Sequence, residues 1–488
     1  MNTSGGLRRL AAHVGAILFA TVVLAWPAFY NRYPLLYPDS MSYIGDGSNV
    51  AQALFHREFT DYYGFRSLIY SLGILPLHWH ATPWPIVAVN ALLTSFVLWL
   101  LVRSLFSKRI LFHFLAIVLV LSLFTGLGWL VGWIMPDILG PLLYLSVFVM
   151  VFAGESLGRI ERVAVALIAW WGIVSHTSHL LLVLGLCPVL AVVLVLQGRS
   201  LRQSLRAMKP VAVILLAAVS AQVALNVYLD NEPYFYGNHP PYLLARVIAD
   251  GPGRWYLQKH CRNSALTSCD ELKNTSDNTD EFLWGEQGWV NASPEEQQEL
   301  RHEEMSVVLG ALREYPREEL RICAAHFWRQ LMNFGVYSYD ANAWILESFD
   351  AALPGKAPAY LCSRQAQGRL NEEFFSSVQN WAVIVSLVVI GLWAILGRRL
   401  WSHRLAGLTV VVIYVVLVNA VTTGNVSNVE DRYQARVIWL VPLLALVFLL
   451  TWVDRRFSRT VQGRFIGRKA SGGEELATET RRTQRAEL

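Results

Sequence analysis

Five short stretches of this chain combine acids, arginines and histidines in patterns that suit chemistry at a membrane face. Tyr37-Pro38-Asp39-Ser40 is followed by Tyr43 and Asp46, Phe65-Arg66-Ser67-Leu68 adds a cation, and Met135-Pro136-Asp137-Ile138 adds a second carboxylate. His176-Thr177-Ser178-His179 and Asp431-Arg432-Tyr433, with Arg436 one turn further on, complete the set. A carboxylate within reach of a hydroxyl can take its proton, a step typically contributing on the order of 10²–10⁴-fold. Arginines hold a departing phosphate through paired N–H donors. Asp137, His176 and His179 either contact substrate or form a ligand set for a divalent cation, since carboxylates and imidazoles suit both tasks.

Each stretch also has a plain structural reading. Asp39 and Asp137 stand where aspartates cap helices. His176 and His179 suit hydrogen-bonded turn residues, and Arg432 and Arg436 suit interfacial arginines whose heads reach the headgroup layer. What separates the readings is whether the elements between them bring the stretches to one place.

Of the 488 residues, 54% are hydrophobic and 16% charged, with 18 Trp. Mean hydropathy is +0.37, too apolar for a soluble chain of this size. The sequence predicts an all-α polytopic membrane protein, because backbone polar groups in lipid must be satisfied within each segment and crossing takes roughly 20 apolar residues. The net charge of +5 and pI near 8.9 reflect basic inner loops rather than affinity for nucleic acid.

In chain order the expected spans cover residues 10–30, 84–102, 110–127, 138–152, two within 163–196, then 211–229, 381–396, 408–421 and 437–453. That is about ten crossings. Residues 10–30 follow Arg8 and Arg9 and read as an uncleaved helix rather than a signal peptide. In the first outer loop a polar helix over 40–55 and a short apolar helix over 65–79 lie along the interface. The run 163–196 is too long for one span, and its polar centre, residues 175–179, reads as a hairpin turn at the outer face.

Sidedness follows from charge. Arg103, Lys108 and Arg109; Arg159 and Arg162; Arg199, Arg202, Arg206 and Lys209; Arg398, Arg399 and Arg404; and the tail from Arg455 onward all fall on one side. Residues 230–376 hold 22 Asp+Glu against 13 Lys+Arg and fall on the other, which places both termini in the cytoplasm. The chain divides into a membrane module (1–230), an extracytoplasmic segment (231–376), C-terminal spans (377–453) and a basic tail (454–488), disordered after Gly467. This sidedness fits a bacterial inner membrane. An endoplasmic-reticulum membrane has the same sense, and there Asn274-Thr275-Ser276 and Asn291-Ala292-Ser293 would be glycosylation acceptors. Cys261, Cys269, Cys323 and Cys362 lie in the outer segment and are expected to form two disulfides. Cys187 is expected to be a buried small hydrophobe.

Threaded this way, Asp39, Asp46, Arg66, Asp137, His176, His179, Asp431, Arg432 and Arg436 share one membrane face. Ionisable groups at such depth mark a substrate path or reaction centre. The order and sidedness of the five stretches resemble the GT-C superfamily of polytopic glycosyltransferases, which use polyprenyl-phosphate-linked sugars. The resemblance covers residues 10–230 and the late spans. It implies a glycosyltransferase acting on an extracytoplasmic acceptor (glycan, lipid or protein), with Asp39 as general base and Asp137 as a second catalytic acid. Tyr37, Ser40, Tyr43, Asp46, Arg66, His176, His179, Arg432, Tyr433 and Arg436 would bind substrate. The first loop has one acid where many members have two adjacent ones, and residues 231–376 match no known soluble domain.

Three rival readings differ in where their polar residues belong. A transporter or lipid flippase needs ionisable groups mid-span near broken helices. An O-antigen polymerase or ligase would use loop arginines such as Arg246, Arg254, Arg317 and Arg321. A non-enzymatic scaffold would use Trp255, Trp284, Trp289 and Trp328 as a glycan-binding surface.

Overall fold

The computed structural model describes residues 3–60, 65–231, 233, 235, 239–262, 266–271, 278–339, 343–397 and 400–456. Asn274-Thr275-Ser276, Arg398, Arg399 and the tail past residue 456 lie outside them. Among the described residues every named element is helical, with one isolated parallel bridge between Leu35 and Trp133.

The N-terminal half runs α1 (Thr3–Leu24), α2 (Trp26–Asn31), α3 (Pro38–His56), α4 (Leu68–His78), α5 (Trp84–Leu105), α6 (Ile110–Phe124), α7 (Leu127–Gly132), α8 (Leu139–Ala153), α9 (Arg159–Ser175), α10 (Thr177–Leu196) and α11 (Leu201–Asp230). Residues 231–376 contribute α12 (Tyr242–Ala249), α13 (Pro252–His260), α14 (Ser268–Glu271), α15 (Thr279–Trp284), α16 (Pro294–Glu314), α17 (Pro316–Met332), α18 (Ala343–Glu347), α19 (Phe349–Ala352) and α20 (Ala357–Leu361). The chain ends with α21 (Glu372–Leu396), α22 (His403–Val426) and α23 (Asp431–Ile438), the last continuing to Arg456. Ser67, Ser200 and Ser402 cap α4, α11 and α22 by accepting a first-turn N–H, the usual work of a serine at that position.

Among the described residues seven helices are long and apolar enough to cross a membrane: Trp84–Leu105, Pro136–Ser156, Thr177–Leu196, Leu201–Asp230, Glu372–Leu396, His403–Val426 and Asp431–Arg456. The other three sequence spans take shorter forms. The apolar part of α1 is only Leu10–Leu24 before the chain passes to α2 at Ala25, α6 has 15 residues, and α9 has 17 with three charges in its first turn. The run 163–196 breaks at His176, whose extended backbone separates α9 from α10. The two helices expected over 40–55 and 65–79 form as α3 and α4, packed on one another.

Among the described residues three apolar clusters organise these helices, a small one of Val50, Ala53, Leu68 and Leu229 where α3, α4 and α11 meet and two large ones. The larger of these two joins the spans and includes Tyr339, Phe349, Tyr360 and Leu370 from the outer segment. The smaller lies within α12–α16, around Leu244, Phe282, Trp289 and Leu300. Cys261 and Cys269 flank that small core and are bonded to each other.

The second expected disulfide does not form: Cys323 and Cys362 are free thiols. The reason is their placement, Cys323 on α17 against α22 and Cys362 exposed after α20, on elements that pack in different places. Cys187, half-buried in α10, packs against the larger core as expected.

Candidate active site

Asp39 sits in the first turn of α3, where free N–H groups favour an anion. The turn is fixed locally: Tyr37 N donates to Ser40 Oγ at 2.9 Å, and Pro38 opens the helix without leaving an orphan donor. Arg66 precedes the Ser67 cap of α4, whose hydroxyl also donates to Val174 O at 2.5 Å and so ties the loop to α9. From there Arg66 Nη2 donates to Asp39 Oδ1 at 2.6 Å. Arg432 reaches the other oxygen from α23, with Nη1 at 3.5 Å from Oδ2. Its guanidinium lies over the rings of Tyr37 (4.3 Å) and Tyr433 (4.7 Å), and Nη2 donates to Tyr433 Oη at 3.0 Å. One carboxylate thus bridges two arginines that are 366 positions apart in sequence (432 − 66).

A second acid–base pair stands beside the first. Arg436 is 1% exposed, and its Nη1 lies 3.8 Å from Asp137 Oδ1. Its Nε and Nη2 donate to Asn419 Oδ1 at 3.1 and 2.9 Å, and Nη2 also reaches Ser178 Oγ at 3.3 Å. The loops carrying Asp39 and Asp137 are stitched together by backbone bonds, Leu35 N to Gly132 O at 2.9 Å and Ile134 N to Leu35 O at 3.0 Å. Tyr37 packs edge-on against Trp133 there, with centroids 5.5 Å apart.

Burial raises the Asp39 carboxyl, but Arg66 and Arg432 outweigh burial and hold it below the usual carboxylate range. Asp39 is therefore an anion at neutral pH. Burial would lower Arg66, and Asp39 reverses that and keeps it firmly charged. Asp46 differs although it lies seven residues along α3, on the face that carries Asp39. Burial pushes its carboxyl up to about 6 against the weaker pull of Arg66, and its Oδ2 has no hydrogen-bond partner among the described residues. Arg432 Nε and Arg436 Nη1 are likewise buried without one.

The remaining sequence candidates gather nearby in different roles. Ser40 serves as the helix-start partner of Tyr37, and Tyr43 is buried against Tyr70 with centroids 5.0 Å apart. His176 Nδ1 accepts from Ser178 N at 3.2 Å, ordering the start of α10. His179 Nδ1 bonds Gly172 O at 2.7 Å, and its ring lies so close to Gly140 that a Cβ there would sit 2.7 Å from Nε2. Among the described residues no three His, Cys, Asp or Glu side chains are placed to share a metal ion, Asp137, His176 and His179 included.

Sequence reasoning missed several partners. Tyr242, at the start of α12, accepts from Arg66 Nη1 at 3.4 Å, and Trp284, expected from the sequence only as part of a glycan-binding surface, places its ring 5.8 Å from the Arg66 guanidinium. Asn419, mid-span in α22, braces Arg436. Only Asn419 carried a signal, an amide in an otherwise apolar helix. Two of the four loop arginines of the polymerase reading are engaged elsewhere: Arg246 pairs with Asp250 at 3.2 Å and donates to Asn428 at 3.2 Å, and Arg321 pairs with Glu318 at 3.0 Å. No family model, curated protein or solved structure matches this chain, so the geometry of these side chains carries the functional argument.

Proposed function

We propose that this cluster transfers a sugar from a polyprenyl-phosphate donor to an extracytoplasmic acceptor, as the GT-C resemblance implies. The observation that carries the reading is the Asp39 carboxylate held between Arg66 and Arg432. A proton acceptor and cations suited to a leaving phosphate then occupy one site. In this reading the donor phosphate takes over the arginines and frees Asp39. The acceptor hydroxyl attacks the anomeric carbon as the carbon–oxygen bond to phosphate breaks, through an oxocarbenium-like state. Asp39 accepts the hydroxyl proton, and the electron pair leaves on polyprenyl phosphate beside Arg432 and Arg436. Asp137 keeps Arg436 oriented.

The same reading has ten crossings, with α1, α6 and α9 as the short ones, both termini in the cytoplasm of a bacterial cell and the site on the opposite face. Short spans are accommodated by local bilayer thinning at modest cost. The test is transfer by purified protein in vesicles loaded with polyprenyl-phosphate sugars, read as released polyprenyl phosphate. Asp39→Asn should lower turnover on the order of 10²–10⁴-fold in protein that still inserts and folds, with a lower melting temperature because Arg66 and Arg432 lose their shared anion. An active Asp39→Asn protein would sink the assignment.

A further inference from the structure

The outer segment reaches the site through two buried amide side chains. Gln330, near the end of α17, accepts from Glu430 N at 3.1 Å and donates to Glu430 O at 2.7 Å. Gln365, after α20, accepts from Leu36 N at 3.0 Å and donates to Leu36 O at 2.7 Å. Both glutamines are 0% exposed. In each case a primary amide, with one acceptor and two donors, makes the pair of bonds that a neighbouring strand would supply to a residue outside any helix. The clamped residues are not arbitrary: Glu430 stands two before Arg432, and Leu36 stands three before Asp39. Each clamp is reinforced, by Tyr337 N donating to Asp431 Oδ2 at 2.7 Å and by Gln365 N donating to Asn31 Oδ1 at 2.7 Å.

We infer that Gln330 and Gln365 are positioning residues of the site, Gln330 setting where Arg432 presents its guanidinium and Gln365 where Asp39 presents its carboxylate. The inference rests on the reading of Asp39 and Arg432 as the reacting pair, and it makes residues 231–376 part of the site rather than an appended domain. The clamps work separately because they hold different loops. A defect in Gln330 therefore falls on the grip on phosphate, and a defect in Gln365 falls on proton transfer.

The test uses the full chain in nanodiscs and two variants that keep side-chain volume but remove the bonds, Gln330→Met and Gln365→Met. Amide hydrogen exchange across residues 427–431 should rise about tenfold in Gln330→Met, with residues 34–37 unchanged, and the pattern should invert in Gln365→Met. Affinity for decaprenyl phosphate, followed by tryptophan fluorescence, should fall about tenfold in the first variant and stay within about twofold in the second, which instead loses turnover at saturating donor. If the variants do not fold, exchange in the unmodified protein decides: the Leu36 and Glu430 amides should be as protected as helix interiors. Unprotected amides, variants in which both loops open together, or affinity and turnover falling in step would overturn the inference. An unmodified protein that does not bind decaprenyl phosphate would remove the proposed function, while the exchange data would still decide the clamps.

Discussion

Two arginine–carboxylate arrangements in this molecule are built to opposite plans. On α5 and α9, Arg103 and Glu161 meet one to one, with Nη1 to Oε1 at 2.7 Å and Nη2 to Oε2 at 2.6 Å, and Glu161 Oε2 also accepts from Gly158 N at 2.8 Å. That pair closes on itself and ties two helices together. Around Asp39 one carboxylate serves two guanidinium groups, one of them 3.5 Å away, and Arg432 Nε, Arg436 Nη1 and Asp46 Oδ2 stay buried without hydrogen-bond partners among the described residues. Native proteins rarely leave such atoms unpaired, and an orphaned charged donor costs more than an exposed pair contributes. The difference separates a closed ion pair from a cluster that keeps unmade hydrogen bonds, and in the proposed reading the unused donors of Arg432 and Arg436 receive the donor phosphate.

Substitutions should separate the two arrangements by size of effect. Arg432→Ala should raise the donor concentration for half-maximal transfer roughly 10–100-fold, because a charged donor to phosphate is lost. A dependence unchanged from the parent would move the phosphate role to another residue.

Acid titration gives a smaller effect of defined sign. Asp46 is raised in the folded protein, so it favours folding at low pH, and that contribution is lost as pH rises through about 6. Asp39 is lowered, so its contribution is present at neutral pH and is lost as pH falls below the usual carboxylate range. Asp46→Asn should therefore stabilise the protein at pH 7 by about 1–3 kcal/mol and give no advantage near pH 4. Melting curves of parent and variant across that range check this, and a variant less stable at pH 7 would contradict it.

The smallest effect belongs to the closed pair. Both partners of Arg103–Glu161 are about a quarter to a third exposed, so Arg103→Ala should cost about 0.5–1 kcal/mol and leave transfer within about twofold of the parent. A large loss of transfer in that variant would erase the contrast.

Much of the site was legible because hydropathy and charge constrain topology strongly. The expected sidedness of α1 and the basic loops puts the stretches at residues 37, 66, 137, 176 and 432 on one face, and the structure brings Asp39, Arg66 and Arg432 together with Arg436 beside Asp137. The pairing within that face was not legible. Asp39 with Arg66 and Arg432, and Asp137 with Arg436, depend on how α3, α4 and α23 meet, which no local pattern encodes. Gln330, Gln365 and Tyr242 were invisible because a glutamine or tyrosine in a polar segment looks like any solvated residue. Their partners lie 100, 329 and 176 positions away in sequence. The four outer cysteines misled for a related reason: an even count in one segment implies pairing only if the segment packs as one body, and this one contributes to two cores.

The central claim is that the Asp39–Arg66–Arg432 cluster moves a sugar off a lipid phosphate. Its most direct test is lipid analysis of cells lacking this chain and of the same cells carrying either the parent or Asp39→Asn. Loss of the chain should cause one polyprenyl-phosphate sugar to accumulate and one glycan to lack a residue, with the parent restoring both and Asp39→Asn restoring neither. An unchanged lipid profile, or full restoration by Asp39→Asn, would contradict the account.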